Sequence, residues 1–516
     1  MTWKTNRRQF LQTAGAGLAA AAAAPRFAWA QDGDTLRIRM AADYQVIDPW
    51  GIIGGLDDVI PRCTTVTLVR LGDLRDGSPW EPYAAEAIEW QSETALAFTL
   101  REGLSWTNGY GPVTAEDVKY SFERIAGSDS PWAYQFEMLD HVEVTGERSG
   151  IIHLTAPFAP FIVTALPYYG GHLVCKAAVE EVGGSFTTEA PAECGPYLFS
   201  SWEQQQKITL TANPDWTGEA PDFSAIEVYI VEDDQSALLA YEASSFDFTR
   251  IAASAISQLR GSMPEGAELI EADSTTYTWL TINQNAPTLQ DPRVRQAIQL
   301  AYDSEAVLYG AYDGTVGRST GLIPPGSDYA REANIYETRD VEKARELLAE
   351  AGAEGLTLNL VALTDSTSQT VAQIIQASLS EAGINVVIQP TEEAAYWALG
   401  DKEAGDDYLT LELVLQGFAG GVDPTENFVW FRPDQIGVYN WTFFDSQEFE
   451  DLYQASLVEL DPEARKGMFN RMEDLMEESG SFIFIAFSPY LAIHDADISP
   501  VILADGHPDP VRFAKV

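Results

Sequence analysis

The chain has 516 residues, of which 46% are hydrophobic and 21% are charged. This length exceeds what one hydrophobic core supports, so at least two lobes are expected, and the ordinary composition excludes collagen-like, coiled-coil and wholly disordered classes. Lysine and arginine number 31 against 78 aspartates and glutamates, a formal net charge of −47. Such a surface repels phosphate backbones and anionic lipid headgroups, which argues against a nucleic-acid-binding protein.

The first thirty residues have the pattern of an export signal. Paired arginines at 7–8 precede an alanine-rich, weakly apolar run over 11–24, and the AWA sequence at 28–30 has the small residues of a cleavage site. The pattern resembles a twin-arginine signal and predicts export to the periplasm with cleavage near Ala30/Gln31. The alternative is a membrane anchor, but the apolar run is shorter than the about 20 residues that a spanning helix needs.

Three cysteines without a C-x-x-C spacing do not make a disulfide scaffold. In an oxidising compartment Cys175 and Cys194 are candidates for a single disulfide, which would add about 3 kcal/mol of stability. Two unpaired thiols are the alternative, and both remain open at this point. Cys63 is the odd cysteine and is expected to be buried and inert.

Alternation of apolar and polar residues predicts the strands of the first half, and one helix lies among them. Thr114 can cap this helix, with Asp117 at its third position and an apolar face at 118, 122 and 125. The strands are expected at 35–40, 94–100, 151–154, 207–211 and 226–231.

The second half favours helices and contains one βαβ unit. The Asp-Pro pair at 291–292 is typical of a helix start. A strand over 356–361, a helix over 370–382 and a strand over 384–388 predict a parallel sheet, because strands connected through a helix run in the same direction. The fold class is therefore α/β, and the lobes are expected to be joined by short ordered crossings.

The chain carries little catalytic or metal-binding chemistry. It lacks an H-E-x-x-H zinc motif, a G-x-S-x-G elbow, a Walker loop and, after the signal, a Rossmann glycine pattern. We therefore predict no cofactor, no metal site and no enzymatic activity, although an unrecognised acidic pair would suffice for a hydrolase. The histidines are scattered, and a satisfied or surface role is the ordinary interpretation of each: His141, His153, His172, His494 and His507.

Aromatic residues cluster between 397 and 444, where neither helical nor strand periodicity is clear. Loop side chains that plug the core are one interpretation, and a cleft lined with flat faces for an organic solute is the other. The residues are Trp397, Phe418, Phe428, Trp430, Phe431, Tyr439, Trp441, Phe443 and Phe444.

Several sequence phrases follow one another in an order typical of one family. The phrases are YAAEAIEW at 83–90, FTLREG at 98–103, VTAEDVKYSFER at 113–124, GPY at 195–197, SW at 201–202, NPDW at 213–216, DPRVRQAI at 291–298, AYD at 301–303 and EKARELLAEAG at 342–352. Together they resemble the family 5 extracellular solute-binding proteins, the dipeptide- and oligopeptide-type receptors of ABC importers. The resemblance extends over nearly all of the chain after the signal.

The resemblance implies a bilobal type II periplasmic-binding-protein fold (a Venus flytrap) with an extra N-terminal subdomain, here called subdomain Ib. Lobe I would be discontinuous, over 31–60, 193–270 and 481–516, with subdomain Ib over 61–192 and lobe II over 271–480. A solute would bind between the lobes, which close around it by hinge motion. The closed form would dock on ABC importer permease subunits, and the protein is expected to be a monomer.

Two departures from the family pattern bear on the ligand. Members that hold peptides by the amine have an acidic residue shortly after a Gly-Trp pair, whereas here Phe418 replaces the tryptophan and glycines stand at 420–421. Dipeptide-type members also have an arginine before the helix predicted at 370–382, and none occurs over 363–369. Because charge-assisted contacts are the strong ones in a cleft, ordinary zwitterionic dipeptides are disfavoured.

The resemblance and the aromatic content together place ligand contacts at Asp43 and Tyr44, after the first strand, and on lobe II. An aromatic wall with Asn and Asp tips suits a peptide-like solute, an opine-like conjugate or an oligosaccharide. The chief alternative functions are a secreted hydrolase of glycosides or peptides, and a sensor or chaperone on the same fold. The contacts expected on lobe II are Trp397, Phe418, Tyr439, Asn440 and Trp441.

Overall fold

The structure, a computed structural model, describes residues 34–54, 59–73, 79–272 and 274–516. The export signal predicted over residues 1–30 and its cleavage site lie outside these ranges. Over the described ranges three sheets of four or more strands form, each with helices packed against it, and the predicted α/β class is confirmed. The strands predicted in the first half are confirmed to within two residues at each end.

Lobe I is built on a sheet that has seven strands in the described ranges. The central strand Thr35–Met40 runs parallel to Ala225–Ile230 and buries Leu36 and Ile38 on one face, as the alternation predicts. The helices of this lobe are Val59–Thr64, Asp234–Glu242 and Ile256–Gly261. Across the sheet the strands are Tyr197–Glu203, Lys207–Ala212, Ala225–Ile230, Thr35–Met40, Phe248–Arg250, Tyr490–Asp495 and Ala267–Ala272.

Subdomain Ib is an antiparallel sheet covered by the helix Ala115–Ile125. The predicted cap is confirmed: Oδ2 of Asp117 accepts from the Thr114 amide at 2.9 Å and from Nε1 of Trp106 at 3.2 Å. Its Oδ1 accepts from the Lys176 amide at 3.0 Å, so this carboxylate joins three segments. The other helices are Phe161–Thr164 and Lys176–Glu181, and across the sheet the strands are Leu139–Val144, Ser149–Leu154, Ala95–Leu100 and Ala85–Ser92.

Lobe II has a mixed five-stranded sheet in the described part of the chain. The predicted βαβ unit is confirmed, because Thr357–Leu363 and Asn385–Thr391 pair in parallel on either side of the helix Ser366–Glu381. Across the sheet the strands are Asn385–Thr391, Thr357–Leu363, Leu413–Phe418, Tyr277–Ile282 and Phe482–Phe487. The remaining helices are Pro292–Ala301, Ser304–Tyr312, Val341–Ala351, Glu393–Gly400, Thr425–Phe428, Gln447–Val458 and Pro462–Glu478.

One expected boundary is wrong by a strand. The family resemblance implies that 481–516 belongs to lobe I. However, Phe482–Phe487 pairs antiparallel with Tyr277–Ile282 inside the lobe II sheet. All six residues of this strand are buried, and such a continuous apolar run fits the interior of either sheet equally well. Lobe I resumes only with the strand Tyr490–Asp495.

Short ribbons and 3₁₀ turns complete the described structure. The two-stranded ribbons pair Tyr44–Val46 with Ile53–Gly54, Val69–Leu71 with Trp80–Pro82, Ser105–Trp106 with Gly111–Pro112, and Ile498–Ser499 with Ala514–Lys515. The 3₁₀ turns are Ala133–Phe136, Tyr169–Gly171, Ala253–Ala255, Pro287–Leu289, Asp407–Leu409, Val429–Phe431, Pro433–Gln435 and Pro510–Arg512. In the described ranges, none of the helices combines the length and the apolar composition needed to cross a bilayer.

Candidate ligand-binding site

Lobes I and II are joined by two chain crossings that lie side by side. The first includes 274–276 and the second includes 488–489. The Ser488 amide donates to the Thr276 carbonyl at 2.8 Å, and Oγ of Ser274 donates to the Ser488 carbonyl at 2.5 Å. Because the crossings are short and bonded to each other, the cleft has a defined hinge edge.

The carboxyl ends of the parallel strands of lobe II lie at one edge of its sheet. Leu363 pairs with Thr391 in parallel register, and Val361 with Val414, so Phe418 ends its strand at the same edge. Loops at such an edge are where α/β sheets bind ligands. The aromatic cluster around Phe418 lies at this edge.

Phe418 is the centre of an aromatic cluster on lobe II. Trp397, on the helix Glu393–Gly400, stacks on the Phe418 ring with centroids 5.8 Å apart and planes inclined by 15°. Trp430 and Tyr439 meet the same ring edge-on, each at 5.9 Å, and contact each other at 5.0 Å. Three of the residues predicted as ligand contacts, Trp397, Phe418 and Tyr439, are thus brought together.

A cavity of about 500 Å³ lies between subdomain Ib and lobe II. A main-chain hydrogen bond spans the two walls beside it, from the Ala159 amide to the Leu457 carbonyl at 2.8 Å. This volume suits a small organic molecule. Subdomain Ib contributes Pro131, Trp132, Tyr134, Gln135, Glu137, Met138, Phe158, Pro160 and Thr164, and lobe II contributes Thr425, Glu426, Val429, Trp430, Arg432, Gln435, Tyr439, Tyr453 and Leu457.

Three side chains on the walls of this cavity have buried polar atoms without a hydrogen-bond partner in the described structure. They are Nε1 of Trp132, Oε1 of Gln135 and Oε2 of Glu426. A buried polar atom without a partner costs about 1–3 kcal/mol, so such atoms are scarce in folded proteins. One donor and two acceptors are therefore unsatisfied within the walls of this cavity.

Glu426 has no ion-pair partner among the described residues. Burial, with smaller contributions from Asp423 and Asp505, raises the pKa of its carboxyl well above the ordinary range. The one arginine on the cavity wall, Arg432, is engaged elsewhere: it donates to both carboxylate oxygens of Glu450, at 2.8 and 3.0 Å. In the described structure no uncommitted arginine or lysine lines the cavity, so nothing there offsets the effect of burial on the Glu426 pKa.

Two further cavities lie between lobes I and II. One of about 360 Å³ is lined in lobe II by 323–327 and by four residues of the next loop, and in lobe I by Ala504. The four residues are Gly421, Val422, Pro424 and Asn427. The other, about 350 Å³, is lined by the start of the helix Ser366–Glu381, and no arginine or lysine lines it. The missing arginine expected over 363–369 is thus not supplied by another element there.

Asp43 and Tyr44 are not in the cleft, which corrects the expectation for both. The Asp43 carboxylate accepts from Nε1 of Trp202 at 3.0 Å, from the Gln205 amide at 2.7 Å and from the Tyr44 amide at 2.9 Å. Tyr44 is 3% exposed and packs in the core of lobe I. Both side chains after the first strand are therefore bonded or packed within lobe I.

Asn440 and Trp441, both predicted as ligand contacts, are bonded and packed within lobe II. Nδ2 of Asn440 donates to the carbonyls of Phe431 and Phe444, at 3.0 and 2.8 Å, and its side chain is completely buried. The Trp441 ring is 1% exposed and lies against Gly400, where a β-carbon would overlap it. Both residues hold the loop that carries Tyr439.

The sequence did not reveal the subdomain Ib side of the cavity. The sequence feature that could have indicated this side is the aromatic stretch at 131–136. It lies between predicted strands and resembles an ordinary loop. Glu426 was missed because an acid in the first turn of a helix is favourable at almost any helix start. Only the tertiary structure shows that this carboxylate is buried.

The cysteines and histidines do not form reactive clusters in the described ranges. Of the two alternatives left open for Cys175 and Cys194, the structure has the unpaired thiols; both are buried in one core, and burial raises the pKa of each thiol. Cys63 is also buried. Groups of three or more potential metal ligands do not occur among residues 34–54, 59–73, 79–272 and 274–516.

Residues 80–435 match the family described as bacterial extracellular solute-binding proteins, family 5 Middle. Among curated proteins, the probable D,D-dipeptide-binding periplasmic protein DdpA of Escherichia coli is 25% identical over 465 residues, which is 88% of each chain. The oligopeptide-binding protein OppA of Bacillus subtilis is 23% identical over 506 residues, covering 91% of this chain and 90% of its own.

Solved structures show the same fold. The ABC transporter substrate-binding protein CtaP of Listeria monocytogenes superposes with a TM-score of 0.81 at 20% identity, covering 94% of this chain and all of its own. DppA of Helicobacter pylori, solved with the peptide STSA, gives a TM-score of 0.75 at 20% identity over 93% of this chain and 98% of its own. At 20% identity, these two structures show that the chain shares their fold.

Proposed function

The chain belongs to the bacterial extracellular solute-binding proteins of family 5, and we propose that the cavity between subdomain Ib and lobe II holds its solute. It is the substrate-binding receptor of an ABC importer, and it captures a solute between its lobes for delivery to a membrane permease. The proposal on the site rests on one observation: a cavity of about 500 Å³ whose walls come from separate folded bodies and carry unpartnered polar atoms.

The proposed solute is peptide-like or a comparable organic conjugate, in contact with the Trp430 and Tyr439 rings that line the cavity. Phe418, with Trp397 stacked on it, packs against these two rings and supports them. Support comes from the relatives named for peptide binding and from the aromatic lining, which suits organic side groups and sugar faces. Opine-like conjugates and oligosaccharides fit the same lining. A simple zwitterionic dipeptide fits less well, because neither interlobe cavity lined by lobe I presents an arginine or lysine for its carboxylate.

Differential affinity explains how binding would drive delivery. A solute in this cavity contacts subdomain Ib and lobe II together only when the walls are close, as in the state with the Ala159–Leu457 hydrogen bond. A ligand shifts a conformational equilibrium only by its difference in affinity between the two states. The permease would then recognise the closed form.

Native mass spectrometry of the protein purified from its own host tests the proposal. We expect a stoichiometric small-molecule adduct that dissociates on unfolding, with one binding site per monomer by titration calorimetry. Saturating ligand at about 100 times Kd should stabilise the fold by about 2.7 kcal/mol. A protein that carries no ligand and gains no stability across peptide, opine and oligosaccharide libraries would contradict it.

We also propose that the chain is exported through a twin-arginine signal and acts without catalysis. The signal proposal follows from the arginines at 7–8 and the small residues at 28–30. Replacing both arginines with lysine should retain the precursor in the cytoplasm, and the periplasmic form should begin at Gln31. Unchanged solute after prolonged incubation would separate the receptor from the hydrolase alternative.

A further inference from the structure

A cavity of about 610 Å³ lies between subdomain Ib and lobe I, and it is larger than each cavity described above. One wall is the strand Tyr197–Glu203, which lies at an edge of the described lobe I sheet. The other consists of Thr107 and Asn108 of subdomain Ib and of the segment 188–193, which leads into lobe I. It shares no described lining residue with the three cavities above, and its volume suits a small molecule.

The strand edge beside this cavity is unsuited to pairing with a further strand. Both carboxylate oxygens of Glu193 accept from the Phe199 amide, at 3.1 and 3.2 Å, so this amide is already bonded. The pairing register shifts between Phe199 and Ser201, which makes Ser200 the extra residue of a bulge. Bulges and occupied amides prevent edge-to-edge pairing. The cavity therefore suits a compact ligand better than an extended peptide.

Trp202 provides a fixed flat surface in the strand wall. Its Nε1 donates to both carboxylate oxygens of Asp43, at 3.0 and 3.2 Å, and its ring packs against the core of lobe I. The ring is half-buried and also lines the cavity. Because the indole is already held in place, a ligand that packs on it loses little of its binding energy to ordering the side chain.

The polar groups around this ring are mostly uncharged and can both donate and accept hydrogen bonds. Thr188 and Gln204 are exposed at the cavity, and their hydroxyl and amide groups have both capacities. Burial raises the pKa of the Glu193 carboxyl from 4.5 to about 7, so near neutral pH this group also donates or accepts. No arginine or lysine of the described ranges lines the cavity, which disfavours an anionic ligand.

We propose that this cavity binds a neutral saccharide, with one sugar ring packed on Trp202 and its hydroxyl groups bonded to Glu193 and Gln204. A sugar ring has an apolar C–H face and a rim of hydroxyl groups that donate and accept, which matches an aromatic face beside uncharged polar groups. This binding is additional to the proposed function. Since neither wall belongs to lobe II, the saccharide does not contact both sides of the cleft and does not drive its closure.

Isothermal titration calorimetry of the full mature chain with neutral disaccharides tests the inference without any variant. The probes are cellobiose, maltose, lactose and N,N′-diacetylchitobiose, and at least one should bind with one-to-one stoichiometry and a Kd below about 1 mM. Absence of binding by all four at about 10 mM would overturn the inference.

Three monosaccharides of different charge test the expected neutrality of the ligand. N-acetylglucosamine is neutral, glucosamine is a cation and glucuronic acid is an anion at neutral pH. We expect N-acetylglucosamine to bind at least as tightly as glucosamine, and glucuronic acid to bind most weakly. Binding of glucosamine alone would show that the two glutamates of the cavity select a cation, and it would overturn the inference.

A pair of matched variants assigns the binding to this cavity. Gln204 and Gln206 are both exposed in the turn after Tyr197–Glu203, but only Gln204 lines the cavity. Gln204→Ala should weaken the tightest disaccharide by about threefold to tenfold, which corresponds to the loss of one hydrogen bond. Gln206→Ala should leave its affinity within about twofold. Equal affinities of the two variants would contradict the assignment.

Tyr439→Ala separates this site from the proposed solute cavity, which Tyr439 lines. It should leave the affinity for the disaccharide within about twofold, because the two cavities share no lining residue. Loss of disaccharide binding in Tyr439→Ala but not in Gln204→Ala would place the sugar in the cleft. That result would overturn this inference and leave the receptor function intact. Disaccharide binding by a protein that carries no solute would count against the solute cavity alone.

Discussion

The carboxylate of Glu426 occupies the space beside the α-carbon of Gly421, where any other residue would place its β-carbon. The two residues are five positions apart, and the Glu426 side chain can lie there because residue 421 has no β-carbon. A substitution at 421 therefore displaces Glu426 without changing any of its atoms.

Gly421→Ala should lower the free energy of unfolding by about 1–3 kcal/mol, the usual cost of overpacking. The new methyl group would overlap the carboxyl group and the β-carbon of Glu426, so the whole side chain has to turn away rather than its tip alone. Denaturant titration measures the effect. Gly417→Ala is the control on the preceding strand, where a β-carbon meets its nearest neighbour at 3.4 Å and should be accommodated. Equal effects of the two variants would show that the loss is not specific to Glu426.

Asp43→Asn should lower stability and leave ligand affinity unchanged. The carboxylate accepts hydrogen bonds from the Trp202 indole and the Gln205 amide, and an amide side chain has only one oxygen to replace them. We expect a loss of about 1–3 kcal/mol in the free energy of unfolding, measured in urea. If binding were lost while stability held, Asp43 would be a ligand contact after all.

Arg465→Met should be among the more damaging substitutions in lobe II. Its guanidinium and the Asp423 carboxylate are 5% and 6% exposed, so removing the cation leaves a buried charge without compensation. The expected cost is about 3–5 kcal/mol by denaturant titration. Arg471→Met, in the same helix but 39% exposed, should cost less than about 1 kcal/mol. Similar costs for both would contradict the argument from burial.

Glu473 should make the stability of the protein depend on pH between about pH 4.5 and 8. Burial raises the pKa of its carboxyl from 4.5 to about 8, although Arg331 and the amides of Leu322 and Ile323 oppose the shift. The folded state therefore binds one more proton than the unfolded state between these pH values. Its stabilising contribution is complete below about pH 4.5 and is lost as the pH rises to about 8, by at most about 1.4 kcal/mol per pH unit.

Glu473→Gln tests this dependence, because glutamine imitates the protonated acid. The free energy of unfolding of the variant should depend less on pH across that window than that of the parent. Burial also raises the pKa of Glu193, to about 7, so the informative quantity is the difference between the two curves. Glu478→Gln, exposed in the same helix, should reproduce the parent curve. Parallel curves for Glu473→Gln and the parent would contradict the prediction.

Much of the fold was predictable because local patterns and tertiary structure agree. The alternation in Thr35–Met40 and the Thr114 and Asp117 cap predict elements that the structure contains. The strand Phe482–Phe487 was placed in the wrong lobe because a fully apolar run carries no information about which sheet it joins. Pairing between distant segments decides that question.

The site was predictable only in part, for a related reason. Aromatic density indicated Trp397, Phe418 and Tyr439, but it could not distinguish them from Trp441, whose ring fills the core. Asn440 likewise has the amide expected of a polar ligand contact, but in the fold this amide donates to backbone carbonyls. Whether a polar group is satisfied depends on contacts between segments far apart in sequence, and no local pattern reports them.

The strand Tyr490–Asp495 lies inside the lobe I sheet, between Phe248–Arg250 and Ala267–Ala272. On a ribosome, these two flanking strands emerge more than two hundred residues before the one that separates them. Lobe II completes first, with Phe482–Phe487, and lobe I keeps two unpaired strand edges until residues 490–495 have been synthesised. A nonsense mutation or a ribosome stall just before codon 490 should therefore leave lobe I open and aggregation-prone, rather than produce a slightly shortened receptor.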